Sequence, residues 1–179
     1  MNELDFLDEA FTGTCHALGA ALVLTKQAKE EQLARRLTFK GLEIGIEHDK
    51  GQQREWYDAE NDKKRKTLMK YPYGYVFGSR GMDGEHVDCF VGPNKDAKEV
   101  YVIGTNKPPE FVQEDEQKCM IGFNSAAEAK DAFLDHYKKP GFFRNMRTFP
   151  YDKFKQKVLA SATTGPNKLA AIIRQGTWI

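Results

Sequence analysis

From Cys15 to about Leu37 the apolar residues Leu18, Ala21, Leu22, Leu24, Ala28, Leu33 and Leu37 fall at helical intervals. Lysine and glutamate fill the gaps, a pattern that predicts one amphipathic helix with a single apolar stripe. A shorter helix is expected before it, ending near Gly13. From Phe39 the period becomes two. Leu42, Ile44 and Ile46 alternate with Glu43, Gly45 and Glu47, as in a half-buried strand. Tyr73 to Phe77, His86 to Val91 and Glu99 to Ile103 are further strand candidates, punctuated by Gly, Pro, Asn and Asp. Asp58 to Lys66 reads as a polar, turn-like stretch. Helical spacing returns over Ser125 to Lys138, with Ser125 as N-cap, Glu128 as its capping-box partner, and Ala129, Ala132, Phe133 and Tyr137 as the packing face. A last helix is expected from Tyr151 to about Ala160. The tail after Gly165 has no clear period.

Short strands followed by helices predict an α+β fold, most simply a small antiparallel β-barrel with helices packed on one side. Three regions are expected: an N-terminal helical extension over 1–37, a central domain over 38–160, and a C-terminal tail over 161–179. The extension reads either as a packing helix or as an assembly handle.

With 179 residues the chain suits one well-buried domain, and its 40% hydrophobic and 30% charged content is that of a folded protein. A net charge of +1 supplies no global field to recruit nucleic acid or an anionic membrane, so any phosphate recognition must be local. The basic run Lys63 to Lys66 beside Trp56 and Tyr57 is short, and nucleic acid is not expected as a partner. Cys15, Cys89 and Cys119 are odd in number and lack paired CxxC spacing, which points to structural thiols in a reducing compartment. The apolar stretch Ala17 to Leu24 is too short to span a bilayer, and Glu3, Asp5, Asp8 and Glu9 precede it instead of a basic segment. A cytoplasmic location without membrane contact is therefore expected.

The segment richest in chemistry is Tyr73-Gly74-Tyr75 followed by Asp83-Gly84-Glu85-His86-Val87-Asp88. A turn leading into a strand can aim Asp83, Glu85 and Asp88 at one point. Three converging carboxylates repel one another unless cations sit between them, and hard oxygen ligands without a thiolate favour Mg²⁺. The acids do not have the register of a twelve-residue calcium loop. Spacing alone is a weak signal, and without more a solvated acidic loop is the readier reading.

Tyr-Gly-Tyr followed by Asp-Gly-Glu-x-Val-Asp resembles the signature of the soluble family I inorganic pyrophosphatases. Ile46-Glu47, Glu116-Gln117-Lys118 and His136-Tyr137-Lys138 resemble further elements of that family, in its order. The likeness to the pyrophosphatase-like domain of bacteriophage and mobile-element proteins is closer still. It runs through Gly41 to Glu47, Tyr73 to Val76, Asp83 to Pro93 and Asp115 to Phe123, and covers roughly Phe39 to Ala160.

The resemblance implies Mg²⁺-dependent hydrolysis of pyrophosphate, or of a related phosphoanhydride, by a metal-activated water. By the same resemblance Asp83, Glu85, Asp88, Asp115 and Glu116 are metal ligands and Glu47 a metal-water ligand. Glu85 stands at the general base. Arg54, Lys118 and Lys138 supply positive charge, with Lys63 or Arg65 as a further basic contact and Tyr73 and Tyr137 as hydroxyl donors. His86 is read as a strand neighbour.

Two departures accompany the likeness. Glu85 stands where the family has aspartate, one methylene longer. The acid expected shortly before the acid-x-lysine element is replaced by Asn106, Lys107, Pro108 and Pro109, with only Glu110 nearby. The alternative reading is a phage-associated structural or interaction protein that keeps the fold without turnover. Its N-terminal helix would bind another copy or a particle protein.

Overall fold

The computed structural model describes residues 32–58, 61–81, 83–164 and 177–178; those from Ala34 onward belong to one unit. The strands are β1 (Arg35–Phe39), β2 (Leu42–His48), β3 (Gln53–Asp58), β4 (Lys63–Leu68), β5 (Tyr73–Val76), β6 (Asp88–Val91), β7 (Glu99–Asn106), β8 (Glu114–Ile121), β9 (Phe143–Pro150) and β10 (Thr177–Trp178). Helix α1 spans Ala126–Tyr137, and α2 spans Tyr151–Thr164.

Eight strands form one sheet in the order β1-β2-β5-β6-β8-β7-β9-β10, while β3 and β4 pair separately as a hairpin. This corrects the expected antiparallel barrel. Among the described residues the sheet is open, with β1 and β10 at its edges, and β6 runs parallel to β8. The parallel pair arises because β7 is placed outside β8, so β8 returns beside β6 from the other direction.

Alternation divides the core. Val100, Val102, Cys119, Ile121, Cys89 and Val91 face Phe154 and Val158 of α2. Tyr101, Ile103, Met120, Phe90 and Tyr73 face Ala129, Ala132 and Phe133 of α1. The helices therefore cover opposite faces instead of one side. Burying this many apolar side chains at about 25 cal/mol per Å² is the main stabilising contribution. Cys89 and Cys119 are free buried thiols beside each other in the parallel ladder; Cys15 lies outside the described residues.

The local sequence signals read well where they were periodic. Ser125 caps α1, its hydroxyl accepting from the Glu128 backbone N–H at 3.2 Å. Glu128 reaches back one residue farther than a capping box requires, accepting from the Asn124 backbone N–H at 2.8 Å. The helix expected through Leu37 meets β1 instead, where Leu37 pairs with Ile44, so the boundary expected at 37/38 falls inside a strand. Its remainder lies outside the described residues. The stretch read as turn-like, Asp58 to Lys66, holds the end of β3 and most of β4. The tail contributes β10, paired with β9.

Candidate functional site

Register explains why one face of the sheet gathers charge. In the parallel ladder Asp88 lies directly beside Lys118, and two residues earlier on the same face of β8 stands Glu116. Tyr73 shares this face from β5. Gly74 permits the approach: a Cβ there would sit 1.8 Å from the Gly45 carbonyl oxygen, so β5 presses on β2 only because this residue has no side chain.

The result is a closed charge cluster. The Lys118 Nζ donates to Asp88 Oδ2 at 2.5 Å and to the Tyr73 hydroxyl at 3.0 Å, and pairs with Glu116 Oε1 at 2.7 Å. The Tyr73 hydroxyl donates to the same Asp88 oxygen. Lys118 is 1% exposed. Burial opposes its charge, but Tyr137, Tyr73, Asp88 and Glu116 outweigh that and hold its proton well above the usual lysine range. Burial likewise pushes the Tyr73 hydroxyl well up. Burial raises the Glu116 carboxyl, and Asp88 and Asp115 add to this against the pull of Lys118. A buried lysine needs such partners, since desolvating a lone ammonium costs several kcal/mol.

Outside this cluster the β3–β4 hairpin contributes Arg54. Its guanidinium lies 4.6 Å over the Tyr73 ring and donates to Tyr137. Burial works against its charge, yet Tyr73, Tyr137 and Asp88 together raise its pKa. Arg54, Tyr137, Asp115 and Glu116 line a cavity of about 210 Å³, with Lys139 and Asp58. Its remaining wall is largely apolar and includes Trp56, Phe90, Phe142 and Pro108.

The expected site residues separate into two groups. Tyr73, Asp88, Glu116 and Lys118 come together, with Arg54, Tyr137 and Asp115 adjoining. Lys118 is sealed behind this cavity and does not line it. Asp83 and Glu85 are both exposed, in a turn closed by Gly84 at φ +84°. There Asp83 Oδ1 accepts the Glu85 backbone N–H at 2.9 Å, and Gly81 N–H donates to the Glu85 carbonyl at 2.7 Å. Neither lines the cavity. Glu47 is half-buried at the β2 bulge, where the register against β5 shifts.

The basic contacts also divide. Lys63 and Arg65 are exposed on β4, and Arg65 Nε donates to buried Asp58 at 3.2 Å. Lys138 is exposed because it takes the left-handed C-cap of α1, φ 57°, and the next residue, Lys139, faces the cavity. His86 stacks on Tyr75 at 4.9 Å, with its Nδ1 2.9 Å from the Ser79 carbonyl, a packing role. Asn106 ties down the loop after α1, donating to the Gly141 carbonyl at 2.8 Å and accepting from Arg144 at 2.9 Å.

Trp56, Asp58, His136 and Lys139 were not legible as cavity residues. For Trp56 and Asp58 the signal was present: residues 54, 56 and 58 alternate inward along β3. It was hidden because two of the three inward positions, Arg54 and Asp58, are charged.

An eight-stranded mixed sheet with a carboxylate–lysine–tyrosine cluster on its α1 face defines a β-rich fold, with a cavity beside the cluster lined by charges of both signs. The chain belongs to the inorganic pyrophosphatase family, whose model, described as Inorganic Pyrophosphatase, matches residues 25–159. It matches no curated protein significantly. No helix among the described residues is long and apolar enough to cross a membrane.

The family generally uses a divalent metal. Among the described residues, no three His, Cys, Asp or Glu side chains are grouped to hold one. Lys118 stands between Asp88 and Glu116, where a cation shared by those two carboxylates would lie, and Asp83 with Glu85 belongs to a different feature. The residues as placed do not fit a preformed metal cage.

Proposed function

We infer that the chain hydrolyses a phosphoanhydride, with inorganic pyrophosphate as the parent substrate, and that Mg²⁺ enters as part of the substrate, the magnesium–pyrophosphate complex. The observation that carries this reading is Arg54. It is a cation held over Tyr73 and against Tyr137, on the wall of a cavity in a chain of the pyrophosphatase family. A guanidinium presents paired donors that match phosphate geometry, and Lys139 adds a second positive charge on the same wall.

In this reading Arg54 and Lys139 bind the anion and Tyr137 orients it. Lys118 keeps Tyr73 and Asp88 in place beneath Arg54. Asp58, Asp115 and Glu116 are the carboxylates on the cavity lining, with Asp88 behind them at Lys118, and their charge suits a substrate that arrives with its own cation. Asp83, Glu85 and Glu47 are further carboxylates of the family pattern, and Glu85 is the candidate base by resemblance alone. The free thiols Cys89 and Cys119 agree with a cytoplasmic setting, which we propose with the rest.

A second reading is a phosphate-binding module without turnover, in a phage-associated assembly. The ion pairs that already satisfy Asp88, Glu116 and Lys118 favour it. Phosphate release from pyrophosphate with Mg²⁺ separates the two. The hydrolase reading expects release by the full chain, reduced about a hundredfold in Arg54→Gln, the usual scale for one lost donor to developing charge. Release no greater than that of an Asp88→Asn variant leaves only the binding module.

A further inference from the structure

Bare pyrophosphate is charged oxygen on every side, and it gains nothing from an apolar wall. This cavity nevertheless presents Trp56, Phe90, Pro108 and Phe142 beside Arg54 and Lys139, with Asp58, Asp115 and Glu116 on the same lining to face the magnesium that accompanies the phosphates. The Trp56 ring is fixed by a hydrogen bond from Nε1 to the Thr67 hydroxyl at 3.0 Å, and Thr67 is buried on the facing strand of the hairpin. Phe142 is held between Tyr137, with ring centroids 5.0 Å apart, and Phe111, at 4.9 Å. Rigid rings tied down in this way act as stacking platforms, at little cost in side-chain freedom. A cavity with a few placed charges in a mostly apolar and aromatic lining is the usual form of a site for an organic ligand.

We propose that the substrate of this site is a diphosphate ester carrying a flat aromatic group, of the nucleoside diphosphate class, with its phosphates at Arg54 and Lys139 and its ring on Trp56. This rests on the reading that the pocket holds a phosphoanhydride. In the reaction the oxygen of a water forms a bond to the terminal phosphorus and the bridging P–O bond breaks. The bridge oxygen and its electron pair leave with the nucleoside monophosphate; of the two water protons, one stays on the inorganic phosphate and the other is released to solvent. No electron acceptor or further co-reactant is needed.

Calorimetric titration of the full chain with methylenediphosphonate and with its adenosine ester, both with Mg²⁺, decides the ligand class without requiring turnover. The adenosine ester should bind at least about tenfold more tightly, the scale of one base stacked on an aromatic side chain. Trp56→Leu should abolish most of that preference and Trp56→Phe keep most of it, with circular dichroism showing each variant folded. Equal affinity for the two compounds, no binding of either, or a preference that survives in Trp56→Leu would overturn the inference. An n-butyl ester that binds as tightly as the adenosine ester would do the same, since it cannot stack. Phosphate release from pyrophosphate and from adenosine diphosphate is measured alongside. A preference for the adenosine ester with no release from either substrate would refute the hydrolase reading and leave the ligand class standing.

Discussion

The acids of the strands and the acids of the turn have similar local sequence but opposite environments. Asp88 and Glu116 are held by a lysine that is 1% exposed, and their side chains are 25% and 33% exposed. Asp83 and Glu85, three to five residues before Asp88, face solvent, and the Asp83 carboxylate is spent on a backbone N–H. The difference is one of support. Asp88 begins a strand whose parallel neighbour delivers Lys118 beside it, while among the described residues no strand pairs with the turn that holds Asp83. Proximity in sequence made one cluster of the three acids; the ladder makes two.

The largest effect should come from removing the shared cation. Lys118→Met leaves Asp88 and Glu116 without the cation they share, with only the Tyr73 hydroxyl still on Asp88, and should cost about 3 kcal/mol or more of unfolding free energy in urea titration. A loss under about 1 kcal/mol would show that the cluster is not what holds these acids. Next, Tyr73→Phe removes a hydroxyl that donates to Asp88 and accepts from Lys118, and should cost about 1–3 kcal/mol by the same titration.

A smaller effect is expected from acid. His136 stands on the cavity wall with both nitrogens used: Nε2 accepts the Lys70 backbone N–H at 2.9 Å, and Nδ1 donates to the Ala132 carbonyl at 2.6 Å. Burial is the main cause of its lowered pKa, and Lys70 and Arg54 add to it. The unfolded chain therefore binds the proton more readily than the folded one. Stability from this group is complete above the unfolded value of about 6.5 and declines as pH falls from there toward the lower folded value. His136→Gln should flatten the dependence of urea stability on pH between about 7 and 5. An unchanged slope would remove His136 from the account.

The smallest effects belong to the turn. Asp83→Asn should change unfolding free energy by no more than about 0.5 kcal/mol, as exposed substitutions do. Glu85→Asp tests the resemblance against the fold. If Glu85 is a base set back by its extra methylene, turnover of pyrophosphate should rise; its solvent-facing position predicts a rate within about twofold of the parent, well short of the hundredfold expected of a reacting group.

How far the sequence could be read followed the strength of each signal. The alternation at Leu42, Ile44 and Ile46 and the cap at Ser125 depend on neighbours in sequence, and both appear where expected. Sheet order does not. Nothing local in Val-Asp-Cys-Phe-Val says that β8 will lie parallel beside it, so the partners of Asp88 came from the resemblance alone. The resemblance placed Tyr73, Asp88, Glu116 and Lys118 in one site, and register brings them together. It could not foresee that Lys118 is sealed from the cavity, or that the left-handed cap at Lys138 turns Lys139 inward. The hairpin was missed because Lys63 to Lys66 put charge on both faces, and strand alternation shows only where one face is apolar.

The central claim is that Arg54, braced by Tyr73 and Tyr137, grips a phosphate in this cavity. Calorimetric titration of the full chain and of Arg54→Gln with magnesium pyrophosphate tests it most directly. Saturable binding by the parent chain is expected, with an affinity at least about tenfold weaker in the variant, the scale of a lost charged hydrogen bond. Equal affinity for both chains would contradict it.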